Sequence, residues 1–401
     1  MGQGEVYVLQ ALKVANFRSL GSDVSIMPGR LTFLVGPNAS GKSNVLDVVA
    51  FVRDAVVSGL PQAVAVRNGI GAVRRHSRGR PRNVRVELQW RWEDGQGWYA
   101  FELASDSERD YRVKKERGGV RRGERHAWVS FEREEDVWSD RGLGLSPRID
   151  PQSLALTALG GSEHLRPLYD GCADMAVYSI FPDRLGVPQK FDARRPMRAH
   201  GENWASILKQ LLERGGDERR ELVAALRRVT NDIDDVRVRM AASHLVVEFL
   251  HRSEDRARKR ERWLDAGAQS DGTLRVAGLL TALLQQPPLA LLGIEEPEIT
   301  VHPGVLPVVY DFLREAAQRS QLLVTTHSPE LLDLVSPEHA TVLAVQRQDG
   351  ATVVRAVDAA QLDAVRQGLF QLGDLLSSGA WEHDGADRAG VSGCGSRDSE
   401  A

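Results

Sequence analysis

Cysteine is almost absent, with only Cys172 and Cys394 in 401 residues. That excludes a disulfide framework and fits a reducing compartment, so the expected location is the cytoplasm. No basic-then-apolar leader pattern opens the chain, because apolar residues run straight into Lys13 and Arg18. The longest apolar run, residues 276–294, is broken by Gln285-Gln286-Pro287-Pro288 and reads as a helix followed by a strand, with no membrane partner expected. His164, His200 and His244 share no metal-ligand spacing, and no G-x-S-x-G nucleophile turn occurs. Cys172, between Gly171 and Ala173, reads as a core residue. There is no sustained heptad pattern and no repeat of fixed period, which excludes a long coiled coil and a solenoid. The net charge of -3 gives no global pull towards nucleic acid. What remains, with 42% apolar and 27% charged residues, is a soluble globular chain with ample interior for a core.

The order of patterns points to an α/β protein. Strand signals at residues 6–14 and 31–35 lead into a glycine-rich turn and an amphipathic, proline-free helix at 42–56. Residues 60–82 read as loop, and 84–92 and 98–103 as alternating antiparallel strands. Residues 105–144 read as a strand pair bearing a long loop, and 150–235 as mostly helical. From residue 270 the pattern runs helix, strand, helix, strand. The expectation is a parallel core sheet built from both chain ends, with an antiparallel β lobe and a helical insertion between them. The corresponding divisions are 1–58, 59–149, 150–235 and 236–380, followed by a Gly-, Ser- and Asp-rich tail at 381–401 that reads as disordered.

Three segments carry chemistry. Gly36-Pro37-Asn38-Ala39-Ser40-Gly41-Lys42-Ser43 matches the phosphate-loop pattern G-x-x-x-x-G-K-[ST], placed between a strand and a helix. Its glycines let backbone N–H groups turn inward on phosphate oxygens, Lys42 reaches the β- and γ-phosphates, and the Ser43 hydroxyl suits magnesium. A second apolar strand ends in Glu295-Glu296-Pro297-Glu298. Adjacent residues there point to opposite sides, so Glu295 suits the magnesium side and Glu296 the polarisation of attacking water. Alone, that tetrapeptide could equally be a solvated acidic turn. His327, in Thr325-Thr326-His327-Ser328, follows a third apolar strand and reads either as a structural hydrogen-bonder or as a group beside the γ-phosphate.

Taken together these segments resemble the ABC-type ATPases of the SMC, RecF and OLD-like group, in the short-chain branch of predicted AAA-family ATPases. Asn16-Phe17-Arg18-Ser19-Leu20 is similar to that group's N-terminal strand motif, and Ser270-Asp271-Gly272-Thr273, with Leu274 and Arg275, to its signature. Phe181-Pro182-Asp183-Arg184, Asn203-Trp204-Ala205-Ser206 and Val301-His302-Pro303 resemble branch segments less specifically. The resemblance implies ATP and Mg2+ as cofactors and an ATP-hydrolysing homodimer. Each ATP would lie between one chain's phosphate loop and the other chain's signature, with Glu296 as general base and His327 as γ-phosphate sensor. Asp271 in place of a second glycine and Glu295 in place of aspartate depart from the usual pattern. Gln62, Gln89 and Gln152 are candidates for the glutamine of the loop between the lobes.

Two outputs fit such a head. One is DNA repair or defence against foreign DNA, resting on Arg74, Arg75, Arg78, Arg80 and Arg82, on Lys114, Lys115, Arg117, Arg121 and Arg122, and on Arg256, Arg258, Lys259, Arg260 and Arg262. The other is a switch on a separately encoded effector protein, a nuclease or toxin, docked on the helical insertion without DNA contact. The chain after His327 reads as too short for an appended nuclease domain, and the long insert argues against a transporter head.

Overall fold

The computed structural model describes residues 7–76, 82–105, 107, 110–230, 232–252 and 262–378. A six-stranded sheet forms the centre, ordered Ala351–Ala356, Thr341–Gln348, Leu31–Val35, Gln321–Thr326, Leu291–Glu295, Met175–Tyr178. Its pairs are parallel except the outermost, Thr341–Gln348 with Ala351–Ala356. Strands covered on both faces must be apolar throughout, and LTFLV and QLLVTT are buried at every position. Phe33, Ile294 and Val324 enter one core with the helices Trp204–Arg214, Asp271–Leu284 and Leu306–Ala316. Leu34, Leu291 and Leu323 face the other core, with helix Lys42–Asp54 and an antiparallel sheet.

Both chain ends supply this sheet, as the pattern predicts, but so does the middle. Met175–Tyr178 lies within the stretch expected to be helical and pairs in parallel with Leu291–Glu295. Four apolar residues directly after a helix carry no period by which to tell strand from helix.

The antiparallel sheet has seven strands, ordered Val24–Ile26, Val8–Ala15, Val84–Trp92, Gly95–Ala104, Arg112–Arg122, Val129–Glu134, Val137–Arg141. The last three occupy the stretch expected to be a strand pair with a long loop. Buried Glu116 and the pair Gly118-Gly119 spoil the alternation there. Glu116 accepts hydrogen bonds from the Tyr99 hydroxyl at 2.8 Å and from the Ala155 and Leu156 amides at 2.6 and 3.0 Å, pinning the following segment to the sheet.

Residues 60–82 also differ from expectation. Helix Lys42–Asp54 runs through a π-type turn, Ala55–Gly59, into Leu60–Ala65, with Ile70–Val73 beyond. Pro61 sits in the first turn of the new helix, where its missing N–H costs nothing, so it marks a junction and not a loop. By length and composition Lys42–Ala65 is apolar enough to cross a membrane. Its acidic residues Asp47 and Asp54 are instead paired with nearly buried Arg67, at 2.8 and 3.1 Å. A third sheet joins Ile233–Ala241, His244–His251, Gln189–Lys190 and Arg262–Asp265 and packs against the helices Trp204–Arg214 and Gly216–Thr230. Residues 381–401, read from the sequence as a tail, lie outside the described residues.

Candidate functional site

Strand Leu31–Val35 delivers the chain into the phosphate loop, and helix Lys42–Asp54 leaves it. No side chain caps that helix and no acidic residue lies in its first turn, so its leading N–H donors and positive dipole end face the loop. Two glycines are sterically required. A Cβ on Gly36 would lie 2.1 Å from the Val345 carbonyl oxygen, and one on Gly41, at φ 107°, would lie 2.2 Å from Thr352 Oγ1.

A hydrogen-bond relay holds the loop from behind. Asn44 Nδ2 donates to Ser19 Oγ at 2.6 Å, Ser19 Oγ lies 2.7 Å from Thr352 Oγ1, and Thr352 Oγ1 donates to the Ser40 carbonyl oxygen at 2.7 Å. The segment Asn16–Leu20, the phosphate loop and the edge strand are thereby joined. Ser40 Oγ is buried and has no hydrogen-bond partner among the described residues, which fits a site left to be completed by a phosphate oxygen. Lys42, 5% exposed, turns its Nζ onto the Gly36 and Pro37 carbonyl oxygens at 2.8 and 3.0 Å. Burial lowers its pKa from the ordinary lysine value, and the charges of Glu296 and Glu298 oppose that shift.

Glu295 ends its strand opposite Thr325. Glu296 leaves the strand at φ 42°, a left-handed conformation that costs an L-residue on the order of 1–2 kcal/mol. Several ties hold it there. Its amide donates to the Thr325 carbonyl oxygen at 3.0 Å and lies 3.2 Å from Thr325 Oγ1, its carbonyl oxygen accepts from Arg275 Nη2 at 3.1 Å and from the Ile299 amide at 3.2 Å, and Oε1 lies 3.1 Å from His327 Nδ1. Glu298 is buried deeper than Glu296. Its Oε1 accepts from Thr326 Oγ1 at 2.6 Å and from the His327 amide at 3.2 Å, while its buried Oε2 has no hydrogen-bond partner among the described residues. The arrangement sets a flexible cation, two strand-end carboxylates and an imidazole around one end of the parallel sheet, where open α/β sheets bind ligands.

Ser270 caps helix Asp271–Leu284, accepting from the Thr273 amide at 3.2 Å and lying 2.8 Å from Thr273 Oγ1. Ser270 and Asp271 are exposed. Gly272 abuts the acidic loop, since a Cβ there would lie 2.7 Å from the Thr300 carbonyl oxygen. Among the described residues no hydrogen bond joins Ser270–Thr273 to the phosphate loop of the same chain. The structure therefore sets Gly36–Ser43, Glu295, Glu296 and His327 at one end of the parallel sheet and leaves Ser270 and Asp271 exposed.

No hydrogen bond to the phosphate loop identifies the inter-lobe glutamine. Gln62 is exposed, Gln89 donates to Glu87 at 3.0 Å and Gln152 to Asp110 at 3.1 Å. Several predicted basic residues are spent on neighbours. Lys114 pairs with Glu102 at 3.3 Å, Lys115 with Glu132 at 2.6 Å and Arg117 with Glu87 at 3.6 Å, and Arg121 lies over Trp128. Arg78, Arg80, Arg256, Arg258, Lys259 and Arg260 lie outside the described residues. Cys172 is wholly buried and its thiol is pushed up to about 12 by burial, as suits a core residue. Among the described residues no group of three or more His, Cys, Asp or Glu side chains forms a metal cage. Magnesium needs none in a phosphate site, because one or two oxygen donors plus substrate phosphates suffice, and Ser43 and Glu295 are donors of that hard type.

Residues 31–333 match the family described as "AAA domain, putative AbiEii toxin, Type IV TA system". The chain belongs to that family. No curated protein sequence matches it. Among solved structures it is similar to an SMC head bound to the C-terminal winged-helix domain of ScpA, at 15% identity and TM-score 0.51, covering 88% of this chain and 99% of that one. It is also similar to an SMC head with an extended coiled coil, bound to the C-terminal domain of ScpA and derived from Pyrococcus furiosus, at 12% identity and TM-score 0.56, covering 90% and 99%. The fold is thus that of an SMC-head-like P-loop NTPase, and the family is one of AAA domains.

Three residues of the site were not assigned roles from sequence. Glu298 and Arg275 sit inside recognised motifs but lack a spacing rule that would single them out. Thr352 lies beyond the family-matched region in an ordinary strand pattern, and no sequence signal marks it.

Proposed function

We propose that this chain is an ATP-hydrolysing switch that closes as a homodimer around two ATP molecules and passes that movement to a separately encoded effector protein. The observation carrying the nucleotide assignment is the uncapped helix behind Gly36–Lys42, with Lys42 held over the loop and Ser40 Oγ buried without a hydrogen-bond partner among the described residues. In this reading the loop amides and Lys42 hold the β- and γ-phosphates, Glu296 polarises the attacking water, and His327 senses the γ-phosphate across its contact with Glu296. Ser43 and Glu295 would hold magnesium, which would supply positive charge against the phosphates.

The exposed start of the signature supports the dimer. Ser270 and the Gly272 backbone, at the start of a 14-residue helix that Ser270 caps and that carries Asp271 in its first turn, form in this reading a half-site that makes no hydrogen bond to this chain's own phosphate loop among the described residues. A second chain's ATP would complete it.

The effector reading is preferred over direct DNA contact because Lys114, Lys115 and Arg117 of the antiparallel sheet are matched by acidic neighbours. The family's description as a putative toxin of a toxin–antitoxin system, and SMC heads that carry a protein partner, support the same choice. DNA repair or defence by direct contact stays as the second reading, and salt-sensitive DNA binding lost on charge reversal would favour it.

The deciding experiment is light scattering of Glu296→Gln protein with and without ATP and magnesium. Mass should double only with ATP, and Ser270→Arg should abolish the doubling. A nucleotide-bound monomer would overturn the sandwich.

A further inference from the structure

Resting on that reading, we propose that Arg275 is a positioning residue through which each signature helix governs the Glu296 of its own chain, coupling the two nucleotide sites of the dimer. Arg275 lies just past the signature in helix Asp271–Leu284 and is 7% exposed. From Leu274 to Leu284 every residue of that helix is buried, whereas its start is exposed. The helix is therefore a packed lever with one free end.

That end touches the acidic loop at both of its margins. Arg275 Nη2 donates to the Glu296 carbonyl oxygen at 3.1 Å, and among the described residues this is the only hydrogen bond of its guanidinium. Gly272 lies so close to the Thr300 carbonyl oxygen that a Cβ would come within 2.7 Å. Glu296 and Thr300 are also the two left-handed residues of the loop, at φ 42° and 62°. Neither is glycine, so each holds its conformation only because the surroundings impose it. A loop strained at both ends and braced at both ends by one helix turn must respond when that turn moves.

Burial lowers the Arg275 pKa, and Glu298, Glu296 and Glu295, in that order, oppose the shift. The guanidinium is thus held by the field of the acidic loop as well as by one hydrogen bond.

In a sandwich dimer the geometry has a consequence. A chain's signature contacts the ATP held by the other chain's loop, but its Glu296 acts on the ATP in its own loop. Arg275 joins the two within one chain, so occupancy of one site aligns the base of the other.

The test measures ATP hydrolysis by the full chain against ATP concentration, with light scattering on the same samples. Wild-type protein should show a Hill coefficient approaching ~2, the number of sites. Arg275→Met, which keeps the apolar stem, should bind a fluorescent ATP analogue within about twofold of wild type while kcat drops. The kcat loss should be on the order of tenfold, as for one lost charged hydrogen bond. Its Hill coefficient should fall below that of wild type measured at the same protein concentration. Arg275→Lys, which keeps charge and a donor, should recover part of both. An Arg275→Met protein that dimerises with ATP and keeps its rate and steepness would overturn the coupling alone. So would equal losses in affinity and kcat that lysine does not repair, because those mark a structural role. Absence of an ATP-dependent dimer in wild-type and Glu296→Gln protein would instead remove the sandwich reading, and the coupling with it.

Discussion

Thr352 donates a hydrogen bond to the carbonyl oxygen of Ser40 at 2.7 Å, across 312 residues of sequence. The same hydroxyl lies 2.7 Å from Ser19 Oγ, so one buried side chain fixes the phosphate loop to both the N-terminal segment and an edge strand. Thr352→Val keeps the shape but leaves the Ser40 carbonyl and the Ser19 hydroxyl without that partner. Stranding buried polar groups costs about 1–3 kcal/mol. ATP affinity should therefore drop about tenfold, and the melting temperature should fall, by calorimetry on both proteins. Unchanged affinity with a lowered melting temperature would show that Thr352 supports the fold and not the loop.

Lys42 gives a prediction of opposite signs. Burial depresses its pKa below the ordinary value of 10.5, so folding without nucleotide carries the cost of an enclosed charge. For a lysine lowered in this way, stability is greatest above the unfolded value and is lost as pH falls through the folded value. Between those two values the unfolded chain binds the extra proton, so stability rises with pH there. Below the folded value the full cost is present. Lys42→Met should raise the nucleotide-free melting temperature at pH 7 by about 2 °C and abolish the rise that ATP gives to wild type. The gap between the two proteins should narrow as pH approaches 10.5. A variant that melts lower than wild type at pH 7 would mean that the bonds to Gly36 and Pro37 outweigh the desolvation.

How much of this was legible in the sequence depended on whether a signal was local. Gly36–Ser43 could be read because backbone sterics and phosphate chemistry fix both residue type and spacing over eight positions. Leu31–Val35 and Gln321–Thr326 could be read because burial on both faces forces continuous apolar runs. Met175–Tyr178 could not, because a four-residue core strand has no period and its partner lies more than a hundred residues away. Thr352 and Arg275 were invisible in role for a related reason. Each reaches the site's loops by donating to a main-chain oxygen, and a main-chain oxygen leaves no mark on residue identity at the receiving end.

Glu298 tests how the acidic loop divides its labour. Its Oε1 is committed to Thr326 Oγ1 at 2.6 Å and the His327 amide at 3.2 Å, so a glutamine oxygen can keep both bonds. Glu298→Gln therefore preserves the scaffold and removes only the charge that faces Lys42 and Arg275. If Glu296 is the base and Glu298 the group that positions His327, kcat should fall about tenfold in Glu298→Gln. The loss in Glu296→Gln should be about a hundredfold or more, the usual range for a general base. ATP-dependent dimerisation should persist in both, measured by light scattering beside single-turnover hydrolysis. Equal and near-complete losses would leave the base unassigned between the two carboxylates, and a larger loss in Glu298→Gln would move that role to Glu298. The strained backbone of Glu296 would then serve to aim its neighbour, not its own carboxylate.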